Sequence, residues 1–183
     1  MFNRTSGFFY RNATGRNVLI FVILQMLISA VVLPRLQDSF DPERTKGLMD
    51  LSVGFTPDRG YEIIDSYGAE GRKSYLLGEI IIDVIYPIIY SIAFTLLVSF
   101  IFKKAFSPGQ WIYKLNFLPL FCALFDFIEN AGIVRMLTVF PARADLAAQL
   151  ASGAGLMKWT FTGITILLFL TGLIAWAIKG IRK

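Results

Sequence analysis

The sequence predicts an all-α integral membrane protein built as one bundle of four transmembrane helices. Hydrophobic residues make up 55% of its 183 positions and the mean hydropathy is +0.60, which is too apolar for an ordinary soluble domain. Four separate stretches reach about 20 mostly apolar residues, the length that crosses about 30 Å of hydrocarbon. We therefore interpret residues 1–183 as a single membrane domain.

The first predicted span covers residues 17–34 and stops at Pro34-Arg35. Three arginines precede it, Arg4, Arg11 and Arg16, and such a basic segment is also typical of a signal peptide. No A-x-A cleavage site follows the span. We therefore expect an uncleaved anchor.

The other three predicted spans cover residues 74–102, 115–140 and 156–178. The second is long enough to need a tilt or a bend, and Pro87 supplies a bend point. Aromatic residues that favour the membrane interface lie near the span ends, at Trp111, Tyr113, Trp159 and Trp176.

The distribution of charge predicts the orientation of the bundle. Both terminal tails and the link between the second and third spans contain basic residues and no acid, whereas the loop 35–73 holds eight acids and six basic residues. The nine basic residues of the acid-free segments are Arg4, Arg11, Arg16, Lys103, Lys104, Lys114, Lys179, Arg182 and Lys183. The positive-inside rule then places both termini inside and the loop 35–73 outside. In a bacterium this membrane would be the cytoplasmic (inner) membrane.

The long outer loop is expected to contain a short helix at about residues 57–67. Thr56-Pro57-Asp58 has the order of an N-cap, a proline at the first helical position and an acid in the first turn. Gly68 follows where a C-cap would fall. Such a helix would lie over the mouth of the bundle, either as a surface element or as a lid.

Four acidic residues fall inside predicted spans, Glu79 and Asp83 in the second, and Asp126 and Glu129 in the third. Helical spacing puts further polar residues on the same two faces. These residues are Arg72 just before the second span, Tyr86 and Tyr90 within it, and Asn130 in the third. A rise of about 1.5 Å per residue brings the two faces to similar depth in the outward half of the membrane. The two faces can therefore meet. Weaker additions are Gln25, Ser29, Thr162 and Thr165 from the other two spans.

These acids are costly to bury in a membrane. An ionised residue at a helix centre costs about 2.5 to 3.5 kcal/mol, and each large aliphatic residue returns about 0.3 to 0.6 kcal/mol. The acids could pair with Arg72, Arg135 or Lys158 and serve only to hold helices together. We favour a binding pocket, because two spans each carry an acidic face and few basic residues lie at that depth.

The composition excludes several kinds of chemistry. Histidine is absent, and Cys122 is the single cysteine. Zinc held by histidine, haem with an axial histidine, catalysis by Cys–His or Ser–His pairs and disulfides within the chain are therefore excluded. The net charge of +5 does not indicate nucleic acid as a partner, because the basic residues flank apolar spans.

The first functional hypothesis is a pocket that binds a proton, a cation or a small amphiphile, such as a lipid or a cationic small molecule, and that serves in transport. Its residues would be Glu79, Asp83, Tyr86, Asp126, Glu129 and Asn130, supported by Arg72, Tyr90 and Arg135. Intramembrane acids commonly mark ion paths. Four helices are few for a transporter, so this hypothesis includes a homo-oligomer.

The second hypothesis is an intramembrane enzyme that modifies or hydrolyses a lipid. Glu79, Asp83, Asp126 and Glu129 would hold a divalent cation such as Mg²⁺ or Mn²⁺, or Asp83 and Asp126 would act as a catalytic acid and base. The third hypothesis is a non-catalytic subunit or assembly factor of a membrane complex, with another membrane protein as its partner.

Overall fold

The computed structural model describes residues 2–43 and 48–181; the chain is 84% helical, and no strand occurs within these two ranges. Four helices are long and apolar enough to cross a membrane. They are TM1 (Gly15–Phe40), TM2 (Gly68–Ala105), TM3 (Trp111–Val139) and TM4 (Asp145–Ile181). The predicted all-α class with four apolar helices is confirmed, and these helices indicate an integral membrane protein.

TM1 continues beyond residue 34, where its predicted span ends. The helix begins after Thr14, whose hydroxyl caps it by accepting a hydrogen bond from the Asn17 amide at 3.2 Å. A π-helical turn at Ile28–Val32 leads into the last segment, Leu33–Phe40. Pro34 lies in the first turn of that segment, where the missing amide hydrogen is tolerated, so the chain remains helical.

TM2 and TM4 are longer than their predicted spans, with 38 and 37 residues. At about 1.5 Å per residue each is about 55 Å long, so both extend beyond a hydrocarbon core of about 30 Å. TM2 begins at Gly68, whose φ of 70° lies in the left-handed region that glycine adopts readily. This glycine separates TM2 from the short helix before it.

That short helix, Pro57–Ser66, lies in the loop between TM1 and TM2 and is called the loop helix here. Its Thr56 cap accepts a hydrogen bond from the Arg59 amide at 3.3 Å. The buried face of the helix packs against the ends of all four long helices in one apolar cluster. The cluster includes Phe40, Met49, Ile63, Ile64, Tyr75 and Met136. The loop helix therefore covers one end of the bundle, which we call the loop face.

TM2, TM3 and TM4 pack on one another, whereas TM1 packs mainly on TM2. In the most apolar stretch of TM1, 6% of the residues are buried, against 50% in TM2, so TM1 lies at the periphery of the bundle.

Small residues bring TM3 and TM4 close together. A Cβ on Gly132 would lie 2.8 Å from the Ala147 carbonyl oxygen and from the Ala151 methyl group. TM3 and TM4 therefore form a closely packed pair.

The opposite end, the terminal face, is held by buried polar contacts. The N-terminal helix Phe2–Asn12 packs on the 3₁₀ segment Trp111–Phe117 that begins TM3. Asn116 accepts a hydrogen bond from the Ser6 hydroxyl at 2.6 Å and donates one to the Ser99 hydroxyl at 2.8 Å. Lys103 donates to the carbonyl oxygens of Tyr10 and Ala13. These contacts join three segments well away from the loop face.

Candidate functional site

A cavity of about 370 Å³ lies between TM1, TM2 and TM4, below the segment 48–51 of the loop. TM2 contributes polar and aromatic side chains to its wall, and TM3 contributes Asp126. TM1 and the loop contribute mainly apolar groups. The residues from TM2 are Tyr75, Asp83, Tyr86, Tyr90 and Phe94, and those from TM4 are Lys158, Trp159 and Thr162. The cavity therefore has one charged wall and one apolar wall.

Lys158 is the centre of the charged wall. Its ammonium lies 3.2 Å from Asp126 Oδ1 and 2.6 Å from Glu129 Oε2, and it donates to the Asp50 carbonyl oxygen at 2.7 Å. Glu129 is fully buried. One lysine thus joins TM4 to TM3 and to the loop, in surroundings where an unpaired charge would be costly.

A glycine on TM4 makes this ion pair possible. A Cβ at Gly155 would lie 2.5 Å from Glu129 Oε1. Glu129 therefore fits beside TM4 only because position 155 carries no side chain. Both helices contribute to the pair, TM3 with the carboxylate and TM4 with the space and the lysine.

Asp126 is held by two partners. Its Oδ1 contacts Lys158, and its Oδ2 accepts a hydrogen bond from the Tyr90 hydroxyl at 2.9 Å. Both carboxylate oxygens therefore have a donor. Tyr90 and Lys158 come from TM2 and TM4, so Asp126 is the point where three helices meet.

Asp83 and Asp50 also line the cavity, but neither carboxylate forms an ion pair within the described ranges. The carboxylate of Asp83 makes no hydrogen bond there either, although its backbone carbonyl accepts one from Asn130 at 2.9 Å. Asp50 Oδ1 accepts a hydrogen bond from the Tyr75 hydroxyl at 3.2 Å. Asp83 is thus the acid on the cavity wall that is most available to a ligand.

Burial raises the pKa of Asp50 above its usual range. The Lys158 ammonium and the hydrogen bond from Tyr75 oppose this shift, and the neighbouring Asp126 charge adds to it. The net rise means that desolvation exceeds the stabilisation from the lysine. A cationic group placed beside Asp50 would stabilise the ionised carboxylate and lower its pKa.

Glu79 and Asn130 lie behind the cavity wall. Glu79 is 1% exposed, and neither of its carboxylate oxygens has a hydrogen-bond partner among the described residues. Asn130 is buried, and its Oδ1 is also without a partner there. Glu79 and Asn130 therefore place hydrogen-bond acceptors, and no positive charge, behind the cavity wall.

Aromatic rings surround the charged groups. Tyr86, Tyr90 and Phe94 follow one another along TM2, with ring centroids 5.2 Å and 5.9 Å apart. Trp159 lines the cavity from TM4. Gln25 of TM1 donates to the Tyr86 hydroxyl at 3.3 Å, which fixes that ring against TM1. The cavity thus combines carboxylates with aromatic faces.

The structure distributes the predicted site residues over three places. Asp83, Tyr86, Tyr90 and Asp126 line the cavity, and Glu79, Glu129 and Asn130 are buried behind it. Arg72 and Arg135 lie elsewhere. The Arg72 guanidinium stacks over the Phe140 ring at 4.2 Å, and Arg135 borders an apolar groove between TM3 and TM4. The Arg72 side chain points back along the loop helix toward Asp65 and does not line the cavity.

Lys158 was expected from the sequence only as one of three possible partners for the acids, and its central place in the charged wall was not predicted. Its position inside an apolar span was a usable signal, because intramembrane cations commonly pair with acids. Asp50 and Tyr75 were not predicted at all. No periodic pattern marks Asp50, since it lies in an irregular part of the loop and reaches the cavity through the fold of segment 48–51.

Within residues 2–43 and 48–181, no three histidine, cysteine, aspartate or glutamate side chains come together as a metal site. The Lys158 ammonium lies beside Asp126 and Glu129, where a cation would otherwise be held, and the suggested metal centre of Glu79, Asp83, Asp126 and Glu129 stays a prediction. Asp83 and Asp126, the suggested catalytic pair, both line the cavity. Lys158 and Tyr90 both contact Asp126, and the acid–base role of this pair stays a prediction.

The chain matches no protein-family model, and no curated protein or solved structure is significantly similar to it.

Proposed function

We propose that this protein binds a small organic cation in the cavity between TM1, TM2 and TM4. The observation that carries the proposal is the excess of acid around the cavity. Asp50, Asp83 and Asp126 line it, Glu129 lies behind it, and among residues 2–43 and 48–181 Lys158 is the one basic residue in its lining. Because Lys158 already contacts Asp126 and Glu129, a cationic ligand would interact with Asp83 and Asp50.

The size of the cavity favours an organic ligand over a proton or a bare metal ion. A volume of about 370 Å³ falls within the range of small-molecule pockets, about 300 to 1,000 Å³. The lining also contains many carbon atoms, from TM1 and from the aromatic rings. A ligand with an apolar body would bury that surface.

The aromatic rings favour an alkylated ammonium group. A cation over an aromatic face gains about 0.5 to 2 kcal/mol, and such rings recognise quaternary ammonium ligands. Tyr86, Tyr90 and Trp159 supply these faces close to Asp83. Carboxylates would provide the charge, and the rings would select for a weakly hydrated cation.

We further propose how the bundle is oriented in the membrane. Nine basic residues in acid-free segments favour an inward terminal face, so the cavity would lie in the outward half of the membrane and both termini would be inside. In a bacterium the protein would occupy the cytoplasmic membrane. Binding in the outward half of the membrane would be the first step of uptake or of sensing.

The test is calorimetric titration of the purified protein with tetraethylammonium, in wild type and in Asp83→Asn. Loss of the available carboxylate should weaken binding about 30-fold, or about 2 kcal/mol, as expected for removal of one partner of a desolvated charge pair. Asp65→Asn is the matched control, because Asp65 is exposed on the loop face and its side chain lies 3.7 Å from Arg72. Equal affinity in all three proteins, or no binding to wild type, would reject the proposal.

A further inference from the structure

We infer that the ligand is a long-chain hydrophobic cation that enters the cavity sideways from the bilayer, through the gap between TM1 and TM4. This inference rests on the proposed function and adds the class of ligand and its route. The ammonium would lie beside Asp83, and the hydrocarbon chain would extend between the two helices into the surrounding lipid.

The gap itself follows from the packing of TM1. TM1 and TM4 both line the cavity, yet TM1 packs mainly on TM2 and has no extended contact with TM4 within the described ranges. The two helices therefore border the cavity without closing it on the side that faces lipid. A soluble protein would expose this gap to water, whereas a membrane fills it with hydrocarbon.

Polarity changes along the cavity in the direction of the gap. Asp83, Asp126 and Lys158 lie on the TM2, TM3 and TM4 side and Asp50 lies on the loop, whereas TM1 contributes Leu33 and Pro34, and TM4 contributes Trp159. These three side chains are half-buried, so they remain partly accessible at the gap. A ligand with a charged head and a hydrocarbon chain matches this order of groups.

The loop face offers a poorer entrance. Segment 48–51 lies across that end of the cavity, with Leu48, Asp50 and Leu51 in the lining and Met49 fully buried. Phe40 and Tyr75, which also line the cavity there, are almost fully buried in the apolar cluster under the loop helix. Entry from the loop face past Phe40 and Tyr75 would require this cluster to separate, whereas entry through the gap displaces only lipid.

The π-helical turn of TM1 borders the gap. It spans Ile28–Val32, and Ser29 within it lines the cavity and is exposed. Turns of this kind are frequent at functional sites, because they alter the direction of side chains within a helix. Ser29 is a small residue where a large one would narrow the gap.

The experiment measures equilibrium binding of radiolabelled alkyltrimethylammonium compounds to the protein in lipid nanodiscs, with chains of two, four, eight and twelve carbons. Binding to Asp83→Asn nanodiscs is subtracted to remove partition into lipid. We expect at least tenfold tighter specific binding of the twelve-carbon compound than of the two-carbon compound. Ser29→Trp should weaken binding of the twelve-carbon compound at least tenfold more than binding of the two-carbon compound.

Ala30→Trp is the matched control, because Ala30 is in the same turn, is exposed and is not part of the cavity lining. It should leave the dependence on chain length unchanged. Equal affinity for all chains, or equal effects of the two tryptophan variants, would overturn the lateral route and leave the proposed function standing. Absence of specific binding for every compound would instead overturn the proposed function.

Discussion

Replacing Lys158 by methionine tests the charged wall most severely. Methionine has a similar length and no charge, so the variant leaves Asp126 and the fully buried Glu129 without their ammonium partner. Removal of one partner from a buried ion pair typically costs about 3 to 5 kcal/mol, because the remaining charge stays desolvated. We expect Lys158→Met to lower the free energy of unfolding by about that amount at neutral pH.

The assay is reversible unfolding in mixed micelles of mild detergent and sodium dodecyl sulfate, followed by circular dichroism. Lys73→Met is the control, since Lys73 forms an exposed ion pair with Glu70 at 2.8 Å that should contribute at most about 1 kcal/mol. Adding Glu129→Gln to Lys158→Met should restore part of the lost stability, because it removes the unpaired buried charge. A cost below about 1 kcal/mol for Lys158→Met would refute the reasoning.

Two further variants test the surroundings of the charged wall by the same unfolding assay. Gly155→Ala should destabilise the protein by about 1 to 3 kcal/mol, because its Cβ would lie 2.5 Å from Glu129 Oε1. Gly153→Ala, on the same helix with open space around it, should be neutral or stabilising, and equal costs for the two would contradict this explanation. Since burial raises the pKa of Asp50 in the folded state, that state binds a proton more readily than the unfolded chain, and stability should fall as the pH rises above the usual carboxyl range. Asp50→Asn, which keeps an acceptor for Tyr75, should show a shallower fall as the pH rises above the usual carboxyl range, and an unchanged slope would contradict the assignment.

The helices were readable from the sequence because membrane spans depend on local composition. Runs of about 20 apolar residues are sufficient to identify them. Their ends were less predictable, because they depend on contacts outside the membrane. TM4 begins at Asp145 rather than at residue 156, since Ala148 and Ala151 pack in the cluster that also buries the loop helix.

The candidate site was readable only where it follows helical spacing. Asp83, Tyr86 and Tyr90 share one face of TM2, and that spacing brings all three to the cavity. Asp50 and Lys158 depend on the tertiary fold instead. Asp50 arrives from an irregular segment, and Lys158 contacts Glu129 because the carboxylate occupies the space beside Gly155. Neither contact has a local pattern in the sequence.

The proposed binding site can be tested through Trp159, which lines the cavity, whereas Trp111 and Trp176 do not. In a variant with Trp111→Phe and Trp176→Phe, Trp159 is the single fluorescent indole. Titration with an alkyltrimethylammonium that carries bromine near its head should quench Trp159 to a saturating level. The same titration after adding Asp83→Asn should give only the weak, linear quenching of lipid partition. Equal and non-saturating quenching in both proteins would contradict an organic-cation site in this cavity.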